Sequence, residues 1–336
     1  MVELQHGLKY LYTIDIPAPI LEMLRTPSLQ RLRDVGMNCG CEYTSFPIFL
    51  RPGSYHRYEH SLGAALIVWR FTGDLKQATA ALLHDIATPV FAHVIDFVRG
   101  DYIKQEATEA GTREIIEADS QLLSILNRYL LAVDDVCDYH VYPIADNDSP
   151  RLAADRLEYT LGNILHYGFG TAETVDRIYQ DLTVLTAEDG AAEIGFRHAD
   201  IALEFSQLAL CCSKLYVSPE DRYAMQRLAE LIRDANRAGI LNTEALYTTE
   251  QQVIALLCAN EGFKARWREF THLHTVIVSD HPERLLNPRQ VPAKKRSIDP
   301  LVQGMRRVSE LYPDHARQLH AFLIEPQTAW IGEPLN

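Results

Sequence analysis

The stretch Leu82-Leu83-His84-Asp85-Ile86-Ala87-Thr88-Pro89 limits what this chain can fold into more than any other. Leu75, Ala78, Thr79 and Leu82 recur at i, i+3, i+4 and i+7, the period of a buried helical face. Pro89 disfavours helical geometry at Thr88, so the helix is predicted to stop close to Ala87. An apolar helix therefore ends in an imidazole beside a carboxylate at the edge of a core. Neighbouring helical residues point about 100° apart, but at a helix end the backbone can bend and aim both side chains at one point. Taken alone, the dipeptide reads either as a hydrogen-bonded pair at a helix terminus or as part of a metal site.

The flanking segments supply further donors. A turn at Arg51-Pro52-Gly53-Ser54, with Ser54 as N-cap, opens a helix beginning Tyr55-His56-Arg57-Tyr58-Glu59-His60. Leu62, Ala65, Leu66 and Trp69 form its buried stripe and Gly73 closes it. Two helices joined this tightly should lie antiparallel, which carries His60 toward His84 and Asp85. Ser149-Pro150-Arg151 reads as an N-cap followed by Pro at the first helical position. The helix it opens carries Asp155 on the face of Leu152 and Tyr159. An unpaired buried carboxylate is costly; a metal removes that cost, and so does a salt bridge to Arg151 or Arg156.

The rest of the pattern is mostly helical. Short helices are expected at Ile20–Leu24 and Leu29–Val35, with Gly36–Leu50 irregular or partly extended. A helix or helical turn over Phe91–Gly100 carries His93 and Asp96. Thr112–Leu131 holds one or two helices, and Asp134–Asp148 is acidic and turn-rich. Helices follow at Asp200–Tyr216, Pro219–Ala238, Thr248–Asn260 and Ala265–His274, with β-segments at Glu193–Phe196 and Thr275–Val278. A last helix is predicted from about Pro300 to Leu323, after the Pro-flanked loop Lys294-Lys295-Arg296. The fold class is mainly α with minor β.

Composition excludes several functions. A net charge of −13 argues against a broad nucleic-acid surface, because phosphate contacts need Lys and Arg, yet it leaves room for a small basic pocket. No apolar run reaches the ~18 residues of a membrane span. The N-terminal residues lack the basic and apolar regions of a signal peptide, so a cytoplasmic protein is expected. The six cysteines then read as free thiols, and Cys39-Gly40-Cys41 lacks the second pair that a structural zinc requires. His56-Arg57-Tyr58-Glu59-His60 fits the inverted zincin pattern H-x-x-E-H. A metalloprotease is a minor alternative, weakened by the position of His56 in the first turn.

The order His60, His84-Asp85, Asp155 resembles the HD-domain metal-dependent phosphohydrolases, and more closely their deoxynucleoside-triphosphate triphosphohydrolase-related branch. Further resembling segments are Gln30-Arg31-Leu32-Arg33, His56 to Gly63, Leu83 to Ile86, Phe91-Ala92-His93 and Ala154-Asp155-Arg156-Leu157-Glu158-Tyr159. Arg296-Ser297-Ile298-Asp299-Pro300-Leu301-Val302 is similar to a segment of bacterial members. The likeness runs from about Leu4 to Gly168 and more weakly to the C-terminus. It implies an HD-type helical core over residues 1–180, with a mostly helical extension, 181–336, packed on it.

The resemblance implies that His60, His84, Asp85 and Asp155 hold a divalent metal. Such N/O donors suit Mn, Fe, Zn, Ni or Co, with Mg also allowed. It further implies Arg57, Arg156, Tyr159 and Thr88 beside the substrate, and His93, Asp96 and Glu109 near the attacking water and leaving group. Related triphosphohydrolases carry histidines where Thr88 and Thr108 stand, which removes two possible proton donors. The implied activity is metal-dependent hydrolysis of a phosphate ester or anhydride, with a nucleotide as the small-molecule substrate, in the manner of a nucleotidase or a triphosphohydrolase. The alternatives are a nucleotide-binding regulatory protein with a metal cage and little turnover, and a phosphodiesterase. Relatives often assemble, so a homo-oligomer is also implied.

Overall fold

The computed structural model describes residues 15–51, 53–103, 111–304 and 306–335. Sixteen α-helices and two small sheets among these residues make the fold mainly α. Two helices at its centre follow the apolar periodicity. The Arg57–Thr72 helix starts at His56, whose backbone N–H donates to the Glu59 carboxylate at 3.2 Å. The cap is therefore His56 and not Ser54, because Glu59 reaches back to satisfy a first-turn donor. At the other end Gly73 takes φ 62°, a left-handed conformation that glycine adopts without a Cβ penalty. Asp74 then caps the Leu75–Leu83 helix, accepting from Lys76 N at 2.8 Å. Joined only by Gly73 and Asp74, the two helices pack along each other.

The second helix stops at Leu83, before the expected Ala87. Residues 84–88 form tight turns instead, with Ile86 N bonded to Leu83 O at 3.1 Å and Thr88 N to Asp85 O at 2.9 Å. Arg31 clamps this turn from behind, donating to the carbonyls of Ile86 at 3.0 Å and Thr88 at 2.8 Å. Burial lowers the Arg31 guanidinium to about 10, although Asp85 opposes the shift.

Two other expectations are corrected. The helix bearing Asp155 spans Ala154–His166, so Ser149 and Pro150 lie outside it. Its first donors are satisfied by a neighbouring loop: Ala154 N bonds Ile144 O at 2.8 Å and Asp155 N bonds Ala145 O at 3.2 Å. The single helix predicted over Pro300–Leu323 is two, Val308–Leu311 and Pro313–Ile324. Upstream, the chain runs beside a strand instead of coiling, with Phe196 N on Leu301 O at 2.9 Å and Gln303 N on Phe196 O at 2.7 Å. Arg307 ties the same segment to the fully buried Glu193, 2.9 Å away.

That strand, Ala192–Phe196, pairs antiparallel with Leu182–Thr186. A second sheet places Trp330–Pro334 between Ile277–Ser279 and Leu285–Arg289, both antiparallel to it. Apolar side chains gather in two main clusters. One centres on the Arg57–Thr72, Leu75–Leu83, Ala154–His166 and Ala199–Leu215 helices; the other centres on Pro219–Arg237. Residues from both sides of position 180 enter each cluster.

His315, 3% exposed, has no hydrogen-bond partner at either ring nitrogen among the described residues. Burial lowers its pKa, with a smaller opposing effect of Asp299. The folded state thus favours the neutral ring. As pH falls through the unfolded value of about 6.5, the unfolded chain gains a proton that the folded chain resists, and stability drops. Urea denaturation at pH 7.5 and 5.5 is expected to show this acid loss shrinking in His315→Leu.

Candidate metal centre

The two central helices and the Ala154–His166 helix, which packs on the first of them, converge on one point. His60 Nε2 lies 3.2 Å from His84 Nε2 and 3.0 Å from Asp155 Oδ1, which is 3.6 Å from His84 Nε2. These three residues are the His/Cys/Asp/Glu cluster found among the described residues. Donors each about 2.0–2.2 Å from one ion stand no more than about 4.4 Å apart, and all three separations satisfy this. The opposite ring nitrogens are already engaged. His84 Nδ1 faces Ala81 O at 2.7 Å, and His60 Nδ1 faces Glu158 Oε2 at 2.5 Å. Both Nε2 atoms therefore turn toward the cluster, and hydrogen bonds of this kind fix the ring and raise ligand basicity.

The electrostatics favour a cation. Burial opposes a charged His60, but Asp155 and Glu158 outweigh it and raise its pKa to about 10. Burial likewise opposes charge on His84, and Asp85 and Asp155 carry it upward. For Asp155, burial is outweighed by His60 and His84, which hold the carboxyl well below its ordinary value. Positive charge among these groups is thus stabilised, and metal uptake at such a site displaces protons. The donor set fits a divalent transition metal.

Asp85 borders this cluster, its Oδ2 lying 3.4 Å from His84 Nε2 and 3.7 Å from His60 Nε2. That oxygen is shared, because Arg57 Nη1 donates to both Asp85 oxygens, at 2.8 and 2.7 Å. Burial works against the ionised Asp85, and Arg57 with the two histidines more than compensates, holding it far below the usual carboxylate range. Thr88 is fully buried and donates to Asp85 Oδ1 at 2.6 Å. Its hydroxyl orients the carboxylate.

The cluster opens into a cavity of about 510 Å³. His93, Arg57, Arg156 and Tyr159 line it. His93 Nδ1 is held 3.0 Å from Asp96, which is fully buried, while His93 Nε2 lies 3.5 Å from Arg296. Burial lowers the His93 pKa against the pull of Asp96. Arg156 is anchored to Asp146 at 3.1 Å and to Asn147. Tyr159 packs its ring 6.4 Å from His60, and burial raises its phenol to about 12. Glu109, like Thr108, lies outside the described residues. The two histidines of the zincin-like pattern do not share a site: His56 pairs with Glu59 at 3.7 Å and is not in the cluster. Cys39 and Cys41 are also outside it, and all six cysteines are free.

Sequence reasoning missed Glu158, which is fully buried and also accepts from Tyr55 OH at 2.5 Å. Its position three residues after Asp155 places both on neighbouring turns of one helix, a signal available in the sequence. Two glycines make room for it. A Cβ on Gly63 would meet Glu158 at 2.6 Å, and one on Gly162 would meet Tyr55 Oη at 2.5 Å. Gly63→Ala is expected to push Glu158 off His60, costing about 1–3 kcal/mol of stability and weakening metal binding. Chemical denaturation and metal titration read the two effects separately.

No protein-family model matches the chain. Its sequence is 27% identical over 302 residues to a protein of Cordyceps militaris named metal-dependent phosphohydrolase cns2, covering 85% of this chain and 81% of the relative. It is 24% identical over 244 residues to the uncharacterized protein YdhJ of Bacillus subtilis, covering 72% and 71%. Two solved structures share the fold. A hypothetical protein from Aquifex aeolicus matches with TM-score 0.63 at 16% identity, covering 94% of this chain and 92% of that one. A phosphohydrolase from Bacteroides thetaiotaomicron matches with TM-score 0.61 at 14% identity, covering 95% and 96%. Fold, donor cluster and relatives together support a hydrolase of the metal-dependent phosphohydrolase class. No helix among the described residues is long and apolar enough to cross a membrane.

Proposed function

We propose that the protein hydrolyses a phosphate ester or anhydride of a nucleotide at the His60–His84–Asp155 centre. The observation that carries this reading is the meeting of that donor cluster, the His93–Asp96 pair and Arg296 in one cavity. A divalent cation held by His60, His84 and Asp155, with Asp85 beside them, supplies Lewis acidity and lowers the pKa of water. The protein's own groups do the rest. Asp96 holds His93 Nδ1–H, leaving Nε2 to accept a proton from the attacking water and to pass it to the leaving oxygen. Arg296 and Lys294 line the same cavity and meet the phosphate charge. Arg57 balances Asp85 so that this carboxylate stays ionised at the site. Aromatic rings from Tyr159, Tyr167 and Tyr216 furnish a surface suited to a flat base.

The test is release of phosphate, pyrophosphate or triphosphate from a panel of nucleoside mono- and triphosphates with Mn²⁺, Fe²⁺, Zn²⁺, Ni²⁺, Co²⁺ or Mg²⁺. Cleavage of at least one member, abolished by a chelator, is the expected result. Tight nucleotide binding with no cleavage under any metal would instead mark a nucleotide-binding protein without turnover.

A further inference from the structure

Asp221 lines the cavity and has no part in the metal cluster. Asp221 stands in the first turn of the Pro219–Arg237 helix, whose cap is Ser218. Its carboxylate has one hydrogen-bond contact among the described residues, a long one from Cys41 Sγ at 3.9 Å. Of the other acids that line the cavity, Asp85 is engaged by Arg57, Asp155 by His60, and Asp146 by Arg156. Tyr167, Leu215, Tyr216 and Met225 line the same cavity as Asp221.

The hydroxyls of both tyrosines have partners in the protein. Tyr167 OH donates to Asn38 at 2.8 Å, and Tyr216 OH accepts from Asn163 at 2.7 Å. What they offer the cavity is ring surface. Rings follow one another from the metal cluster into the cavity, with His60 and Tyr159 centred 6.4 Å apart and Tyr159 and Tyr216 6.2 Å apart. A ligand whose phosphate lies at the cluster would extend its flat end along these rings toward Asp221.

We propose that Asp221 is the specificity residue of this cavity, accepting a hydrogen bond from an amino group on the substrate's base. This rests on the nucleotide reading above. Apolar and aromatic walls recognise a flat ring of any kind, whereas a polar atom set among them discriminates, because the wrong ligand leaves it unpaired. Burial raises the Asp221 carboxyl to about 8, against the pull of Arg296 and Arg222. In either protonation state the carboxyl can accept from an amino group, and in the neutral state it can also donate to the adjacent ring nitrogen.

The experiment uses nucleosides, which have no phosphate to lose, so binding is read independently of turnover. Calorimetry on the metal-loaded full chain compares adenosine with unsubstituted purine riboside, and cytidine with the riboside of pyrimidin-2-one. Wild type is expected to bind the aminated member of at least one pair about tenfold more tightly, one hydrogen bond's worth. Asp221→Leu, close in shape and apolar, should bring that ratio near one. Asp221→Asn, whose amide oxygen still accepts, should restore it and also guard against a folding defect in the leucine variant. Equal binding within both pairs in wild type, no measurable binding of any nucleoside, or a preference that survives Asp221→Leu would overturn the proposal. Phosphate release from the nucleotide panel is scored separately, so base recognition can fail while the hydrolase reading stands.

Discussion

Asp85→Ala is expected to be the most damaging single substitution in the described structure. Arg57 is 8% exposed and its Nη1 bonds both oxygens of Asp85. Removing the carboxylate leaves that guanidinium buried without its counter-ion, a change that typically costs about 3–5 kcal/mol. The Arg57 Nε is already buried without a hydrogen-bond partner among the described residues. The same truncation removes an oxygen that stands 3.4 and 3.7 Å from the two cluster nitrogens, so metal content should fall together with stability. Asp85→Asn separates the two effects, since it preserves shape and the contact with Thr88 while removing the charge. Denaturant titration and metal analysis of both variants give the answer. An Asp85→Ala protein as stable as wild type and equally loaded would remove Asp85 and Arg57 from any role at the centre.

Glu158 should give the second-largest effect, although it touches no metal-facing atom. Its Oε2 is 2.5 Å from both His60 Nδ1 and Tyr55 Oη, in a fully buried place. Groups that orient a ligating histidine in this way typically carry 10–100-fold in metal affinity or activity. Glu158→Gln keeps volume and a hydrogen bond but weakens the pull on His60, so metal affinity should fall roughly tenfold with stability changed little. Glu158→Leu removes the acceptor from buried His60 Nδ1, which costs about 1–3 kcal/mol when left unsatisfied. Competition against a chelator of known affinity measures the first effect, and thermal unfolding the second. Unchanged affinity in both variants would show that His60 is positioned by packing alone.

The centre was partly legible because its residues sit at the ends and first turns of strongly patterned elements. The stripe Leu62, Ala65, Leu66 and the run Leu75 to Leu82 announce two helices, and Gly73-Asp74 announces the short turn between them. From these alone His60 can be directed toward His84. Asp155 stands out as a carboxylate amid apolar neighbours. Thr88 is different: set against the family pattern it reads as a missing histidine, while in the folded protein its hydroxyl is consumed by Asp85 at 2.6 Å. Helix boundaries were legible where the chain's own residues set them, as Gly73 does, whereas the Ala154–His166 helix is capped by the distant carbonyls of Ile144 and Ala145.

Local sequence thus determined the helical class of this protein, its two central helices, and the direction in which His60 approaches His84. These depend on periodicity, on glycine and proline geometry, and on short connections, all properties of neighbouring residues. Tertiary structure alone decided that Arg57 faces Asp85, that Glu158 stands behind His60, and that Arg296 and Asp221 reach a cavity begun more than 130 residues earlier. Residues 301–303 show why. Their sequence permits a helix, but Leu301 and Gln303 pair with the backbone of Phe196, and Arg307 pairs with Glu193. Such contacts are made between parts of the chain far apart in sequence, and their energies exceed the small local preferences that a sequence pattern can express.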